Sequence, residues 1–259
     1  MLILFINLIE WVLPKKWHLA FRYSLAKIRG EHDLEMEFID ALLKDRRCFL
    51  DVGANMGIYT YKFSKTFASI VSFEPIIEVS RRISSLSVDN VRVRNDAVSN
   101  EMGNLLLHIP IERGVLLYGL ASLESRDTEC EKRKVPVTTI DHCEFTDVDF
   151  LKIDVEGHEL NVVQGALKTI RQCLPVVLIE IEQRHIEFPV QKVFDLLISQ
   201  GFEGYFLSEM GVRSICDFNY DCNQKPYLGC LHDVRYINNF IFTHPSRFSA
   251  DEVRSITIS

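Results

Sequence analysis

The sequence has no excess of positive charge, no internal repeat and no low-complexity tract. Its formal net charge is −7, whereas a general nucleic-acid binder carries a basic face. With 47% hydrophobic and 25% charged residues, the composition is that of an ordinary globular protein and argues against extensive disorder. A chain of 259 residues can build one large core or at most two small ones. We therefore expect a folded protein that binds no nucleic acid.

Closely spaced cysteine pairs are also missing. The seven cysteines are odd in number and scattered, which favours free thiols in a reducing, cytoplasmic compartment over a disulfide framework. The one local group comprises Cys216, Cys222, Cys230 and His232. Its spacing matches no usual zinc pattern, so loop and core thiols are the preferred interpretation and a zinc site is the minor one.

The N-terminal apolar segment lacks the features of a signal peptide or a membrane span. It has no basic start, contains polar residues and stops at Pro14, while a span needs about 20 apolar residues. Two interpretations remain open. Residues 1–17 form a helix that packs on the domain or on a partner subunit of a homo-oligomer, or they lie at the inner face of a membrane with Trp11 and Trp17 at headgroup depth.

Short apolar runs alternate with amphipathic segments along most of the chain, which predicts βαβ units and a parallel sheet. Between about residues 100 and 141, two strand-like runs flank a polar stretch, and we interpret this region as an inserted β-excursion. Near the C-terminus two strands follow each other without a helix, which predicts an antiparallel edge pair. The prediction is an α/β fold with a mixed sheet of about seven strands. Its domain covers residues 47–245, after N-terminal helices over 1–46 and before a tail over 246–259.

Carboxylates stand at the ends of the first three predicted strands. Asp51 precedes the glycine-containing turn of "FLDVGANMGIYT", Glu74 ends the second strand, and Asp96 ends the third. In a doubly wound sheet these ends meet at the ligand crevice. A carboxylate beside the turn disfavours a pyrophosphate on the helix N-terminus but suits a cationic ligand without phosphate. S-adenosylmethionine, which carries a sulfonium and an ammonium group, fits this description.

Each strand end has a predicted role toward this cofactor. Glu74 accepts both ribose hydroxyls, Asp96 accepts from the adenine amino group, and Ala97 leaves room for the ring. The spacing Gly53-x-x-x-Gly57 departs from the dinucleotide fingerprint and argues against the main alternative function, a nucleotide-dependent oxidoreductase. The predicted cofactor-binding residues are Asp51, Gly53, Asn55, Gly57, Tyr59, Thr60, Glu74, Asp96 and Ala97.

Several segments together resemble the FkbM-type methyltransferases, which are class I, S-adenosylmethionine-dependent O-methyltransferases. They are "FLDVGANMGIYT", "FEP", "NDAVS", "ASLE", "VDFLKIDVEGHELNVVQGA" and "NNFIF", within about residues 47 to 243. The most specific element is "KIDVEGHE" followed by Gly165 and Ala166. The resemblance implies a Rossmann-like, seven-stranded sheet whose last strand is antiparallel. It also implies methylation of hydroxyls on sugars or natural products, as in polysaccharide or natural-product biosynthesis, without identifying the acceptor.

The polar segment "DVEGHE" follows a buried strand and supplies the catalytic candidates. Methyl transfer to a hydroxyl requires removal of its proton, and a positioned base typically contributes ~10²–10⁴-fold. We predict that His158, kept neutral by a helix N-terminus, is this base and that Asp154 orients it, with Glu156 as a further catalytic residue.

A second mechanism uses neighbouring acids. Asp154 and Glu180, with Glu156 or Glu182, would hold Mg²⁺ and lower the pKa of the acceptor hydroxyl. A third interpretation is that Glu156 and Glu159 only complement the helix dipole. In that case the protein could be a non-catalytic cofactor-binding protein.

Overall fold

The computed structural model describes residues 13–14, 17–29, 34–125, 128–231 and 233–257. The predictions for residues 1–12 and for His232 lie outside the described residues. Within the described ranges, no helix is long and apolar enough to cross a membrane.

Helices and strands alternate along most of the described chain. The helices are α1 (His18–Arg29), α2 (Leu34–Leu42), α3 (Ile58–Phe63), α4 (Ile77–Ser84), α5 (Glu159–Gln164), α6 (Leu167–Cys173), α7 (Gln191–Ile198), α8 (Tyr220–Asn223) and α9 (Ala250–Ser255). The strands are β1 (Cys48–Val52), β2 (Ser69–Phe73), β3 (Val91–Arg94), β4 (Ala97–Val98), β5 (Gly103–Glu112), β6 (Val115–Leu116), β7 (Cys130–Thr138), β8 (Val148–Ile153), β9 (Val176–Glu180), β10 (Glu203–Ser208), β11 (Gly211–Ser214) and β12 (Asn239–Thr243).

The main sheet has the order β11-β10-β12-β9-β8-β1-β2-β3. Strand β1 lies between β2 and β8 and is parallel to both, so the turns that follow these strands open at the same edge. Strand β12 is antiparallel to both of its neighbours, β9 and β10. The implied mixed sheet with a reversed last strand is confirmed, and β11 adds an eighth strand as a hairpin with β10.

Two details differ from the sequence-based prediction. Strand β12 pairs with β10 in antiparallel orientation, as predicted, but the pair is not the edge of the sheet, because β12 lies between β10 and β9 and β11 forms the edge. Phe240, Ile241 and Phe242 are fully buried there, as is typical of a central, continuously apolar strand. The predicted third strand, residues 91–98, is split into β3 and β4. The amide of Asn95 donates to Ser80 Oγ at 2.5 Å, and the chain then leaves the main sheet so that β4 pairs with β7.

The predicted insertion forms a second sheet with the order β4-β7-β5-β6. Its inner face packs on α4 through a separate apolar cluster that includes Ile76, Val79, Ile109 and Val135. This contact holds the insertion over the carboxyl end of β2. The insertion is therefore part of the wall of whatever site lies at that edge.

The junction between α5 and α6 requires glycine at position 165. A Cβ built on Gly165 would overlap the carbonyl oxygen of Ser99. The carbonyl of Gly165 also accepts a hydrogen bond from Asp141 N at 2.9 Å. Only glycine lets the junction pack this closely on the segment after β4.

We predict that Gly165→Ala destabilises the protein. Overpacking a well-packed interior typically costs about 1–3 kcal/mol, and here the obstacle is backbone. The matched control is Gly229→Ala, because nothing lies within 4 Å of a Cβ built there, so its change should stay within about 0.5 kcal/mol. Urea unfolding of both variants provides the measurement, and equal midpoints would contradict the prediction.

Candidate active site

A cavity lies at the carboxyl edge of the main sheet, between the ends of β1, β2 and β8 and the inserted segment 118–123. Its empty space, which includes solvent at the open mouth, is about 580 Å³. It is lined by Val52, Gly53, Asn55, Phe73, Glu74, Pro75, Ile76, Asp96, Ala97, Val98, Leu107, Tyr118, Gly119, Ala121, Ser122, Leu123, Asp154, Val155 and Glu156.

The cavity is lined by acidic side chains, and the two cations nearest to them, Arg94 and Lys152, pair with Asp96 and Asp154 from outside the lining. Its lining contains the carboxylates of Glu74, Asp96, Asp154 and Glu156, and none of the described residues that line it is basic. A cleft lined by charge of one sign concentrates ligands of the opposite sign. The arrangement therefore favours a cationic ligand and disfavours a phosphate or pyrophosphate.

Glu74 is fixed by the backbone around it. Its Oε2 accepts from Asn55 N at 3.0 Å and its Oε1 from Ile76 N at 2.8 Å. Burial raises the pKa of Glu74 to about 7. The carboxyl group is thus held at the end of β2 and faces the cavity, where the prediction places the ribose.

Asp96 and Ala97 also reach the cavity. Arg94 donates to Asp96 Oδ2 through Nε at 2.8 Å and through a terminal nitrogen at 2.5 Å. Both contacts use the same carboxylate oxygen, so Asp96 is held in place beside the buried Ala97. Their contact with an adenine ring stays a prediction.

Gly53 lies between the cavity and the end of β8. It lines the cavity, and its φ of +74° lies in the region that favours glycine. A Cβ built there would overlap the carbonyl oxygen of Asp154. The turn after β1 therefore touches the end of β8 directly, a constraint in addition to the predicted approach of a ligand.

Four predicted cofactor residues lie behind the cavity wall and do not line it: Asp51, Gly57, Tyr59 and Thr60. Thr60 Oγ1 donates to Asp51 Oδ2 at 2.6 Å. The other carboxylate oxygen of Asp51 is buried without a hydrogen-bond partner among the described residues, and burial raises the pKa of this group. Contact of these four residues with the cofactor stays a prediction.

His158 forms a clamp between three segments. Its Nδ1 lies 2.6 Å from Glu124 Oε1 and its Nε2 lies 2.8 Å from Ser99 Oγ. The residue is buried and does not line the cavity. Its carboxylate partner is Glu124 of the insertion, and not Asp154 as the sequence suggested. The two ring nitrogens thus connect Ser99 and Glu124 to the turn after β8, and the role of His158 as general base stays a prediction.

The acids proposed for Mg²⁺ are each engaged with protein groups. Asp154 accepts from Lys152 and Glu180 from Asn238, at 2.9 and 2.8 Å, while Glu182 pairs with Arg184 and Tyr236. Over the described ranges, no group of three His, Cys, Asp or Glu residues could hold a metal ion. These donor sets do not fit the predicted magnesium site.

Comparison with known proteins identifies the family. The methyltransferase FkbM domain model matches residues 51–204, which is more than half of the chain. The chain belongs to the FkbM methyltransferase family. Membership supports S-adenosylmethionine-dependent methyl transfer, and the fold is the class I methyltransferase fold.

Solved structures of methyltransferases are similar at low identity. FkbM from Methylobacillus flagellatus KT is 16% identical with a TM-score of 0.47 over 76% of this chain and 44% of that chain. A TehB-like enzyme from Corynebacterium glutamicum is 15% identical, with a TM-score of 0.43 over 74% and 87%. This chain thus spans less than half the length of the Methylobacillus flagellatus structure. A search of curated proteins found no match.

Lys152 is a residue of this FkbM protein that sequence reasoning missed. Its buried ammonium group donates to Asp154 Oδ2 at 2.9 Å, and its strand position is paired with Asp51 of β1. Burial opposes the charge, but Asp154 and Asp51 outweigh it and hold the pKa of Lys152 above its usual range. In the sequence, Lys152 could have been noticed as a lysine inside the otherwise apolar predicted strand "DFLKI".

The FkbM segment "DVEGHE" forms a tight turn in the left-handed region. Glu156 has a φ of +57° and Gly157 a φ of +107°. Glu159, at the start of α5, folds back so that its Oε1 accepts from Gly157 N at 2.9 Å. It is buried, and burial raises its pKa to about 8. Glu159 therefore braces the turn rather than facing solvent as a simple dipole partner.

We predict a pH-dependent stability that depends on Glu159. Its pKa is raised from 4.5 to about 8 on folding, so the folded state keeps a proton that the unfolded state releases between these values. The free energy of unfolding should then fall as pH rises through this window, because the folded state binds more protons. In Glu159→Gln this contribution disappears. Relative to wild type, the variant should gain on the order of a few kcal/mol between pH 5 and pH 8.

Urea unfolding at both pH values checks this. The exposed Glu101 supplies the control, since Glu101→Gln should follow the wild-type curve. Parallel curves for wild type and Glu159→Gln would show that the carboxyl group is ionised in the folded state.

Proposed function

We propose that this protein is an O-methyltransferase that transfers the methyl group of S-adenosylmethionine to a hydroxyl of a sugar-containing or polyketide-like acceptor. The observation that carries the proposal is the acid-lined cavity at the carboxyl edge of a class I sheet. A ligand with sulfonium and ammonium groups suits such a lining. A dinucleotide, with its pyrophosphate, does not.

The residues present fit the cofactor along the length of the cavity. Glu74 lines the cavity and, in this proposal, its carboxyl group accepts from the ribose hydroxyls. Apolar side chains, among them Phe73, Ile76 and Leu107, line the cavity with Asp96 and Ala97 and suit an adenine ring. Asp154 and Glu156 lie at the end of β8, where the positive charge of the sulfonium would be favourable. When bound, the cofactor supplies an electrophilic methyl group for in-line displacement.

The acceptor's class rests on family resemblance. A hydroxyl acceptor requires a base beside the methyl group, and acidic and histidine side chains are available at the ends of β8 and β9. An oxidoreductase and a non-catalytic cofactor-binding protein are the alternatives.

Three ligands and one transfer assay separate these functions. A ligand at 100 times its Kd stabilises the folded state by about 2.7 kcal/mol, so thermal shifts with S-adenosylmethionine, NAD and NADP identify the bound class. Methyl-labelled S-adenosylmethionine is then incubated with the protein and with metabolite and glycan fractions of a cell extract. We expect label in a product that survives alkaline hydrolysis, as a methyl ether does and a methyl ester does not. A shift with NAD or NADP and not with S-adenosylmethionine would support the oxidoreductase, and binding of S-adenosylmethionine without label transfer would support the binding protein.

We predict that Glu74→Gln weakens cofactor binding. Loss of a carboxyl acceptor for hydroxyl groups typically costs about 1–3 kcal/mol, or roughly 5- to 150-fold in affinity. Isothermal titration with S-adenosylhomocysteine measures the change, with Glu112→Gln as an exposed control. An unchanged affinity in a folded Glu74→Gln protein would remove the ribose assignment.

A further inference from the structure

A second histidine lies at the acceptor end of the site. His185 follows β9, and its Nδ1 lies 3.0 Å from Glu156 Oε2. Their side chains are only 10% and 14% exposed. Glu156 also lines the cavity, and His185 lies next to it in the group of acids at the ends of β8 and β9.

The ring of His185 differs from that of His158 in its hydrogen bonding. His158 uses both nitrogens for Glu124 and Ser99. For His185 Nε2, no hydrogen-bond partner exists among the described residues. A histidine whose Nδ1–H donates to a carboxylate keeps the Nε2 lone pair available, which is the arrangement of a general base with its orienting acid.

The position of His185 is fixed by the backbone. Its N–H donates to Glu182 O at 2.9 Å. Its carbonyl lies 2.7 Å from a Cβ built on Gly157, so the turn that carries Glu156 packs directly on the backbone of His185. Asp154, Glu156, Glu159, Glu180 and Glu182 line the same small space as His185, and these are the charged groups that a change in its protonation would affect.

We infer that His185 is the general base of the reaction and that Glu156 orients it. This inference rests on the proposed function. The acceptor oxygen forms a bond to the methyl carbon while the carbon–sulfur bond breaks and its electron pair stays on sulfur. The hydroxyl proton moves to His185 Nε2, and solvent later removes it. The imidazolium formed in this step is stabilised by the Glu156 carboxylate.

The tautomer of the ring gives a test that needs no acceptor. The protein is labelled with ¹⁵N-histidine, and long-range proton–nitrogen correlation spectra are recorded at alkaline pH, with His185→Gln identifying the resonance. The expected result is a neutral ring protonated on Nδ1. A ring protonated on Nε2 would overturn the inference, because that nitrogen could not accept a proton.

Turnover provides the second test. In the label-transfer assay, His185→Gln should lose about 10²–10⁴-fold in rate, while its affinity for S-adenosylhomocysteine stays within about twofold of wild type, since the lost interaction acts mainly in the transition state. The residual rate should also lose the fall at acidic pH that protonation of the base causes in wild type. His142→Gln is the matched control, because His142 is exposed on the far loop before β8.

The proposed function and the assignment of His185 fail in different ways. If wild type transfers no label to any fraction, the proposed function fails, and the assignment of the base fails with it. If wild type transfers label and His185→Gln retains its rate and its acidic limb, only the assignment of His185 is wrong.

Discussion

The site depends on the buried ammonium group of Lys152. Around it stand Asp51, Asp154 and Glu180, which would repel one another in a low-dielectric interior without a cation between them. Lys152 reaches this position because β1 and β8 are parallel neighbours that place residues 51 and 152 side by side. The ring of Tyr59 lies 5.0 Å from the ammonium group, which gives the charge a further favourable contact. One lysine thus permits a concentration of acids at one edge of the sheet.

The insertion supplies the outer wall of the site at the carboxyl edge of the main sheet. Residues 118–123 form the outer wall of the cavity, and two polar contacts attach this wall to the turn after β8. Ser122 Oγ donates to the carbonyl of Glu156 at 2.7 Å, and Glu124 binds His158. The residues "ASLE", which drew notice in the sequence only for their family resemblance, therefore join the two halves of the site.

The sequence predicted those features that depend on residues close together along the chain. Strand alternation predicted the main sheet, and acids at strand ends predicted Glu74, Asp96 and Asp154, which all line the cavity. It failed where the partner is distant along the chain. His158 meets Ser99 and Glu124 across 59 and 34 residues, and no local spacing announces such contacts. The placement of β12 inside the sheet also follows from packing of the whole core. At the split of residues 91–98, the Asn95 side chain donates to Glu74 O and Ser80 Oγ, and β4 pairs with the distant β7.

The acidic lining of the cavity bears on how the proposed reaction ends. Methyl transfer converts a positively charged sulfonium into a neutral thioether, while the carboxyl groups that are ionised around the ligand keep their charge. The cavity therefore attracts the reactant more strongly than the spent cofactor. Such a difference favours product release and cofactor exchange between turnovers, and it weakens as ionic strength screens the exposed part of the field.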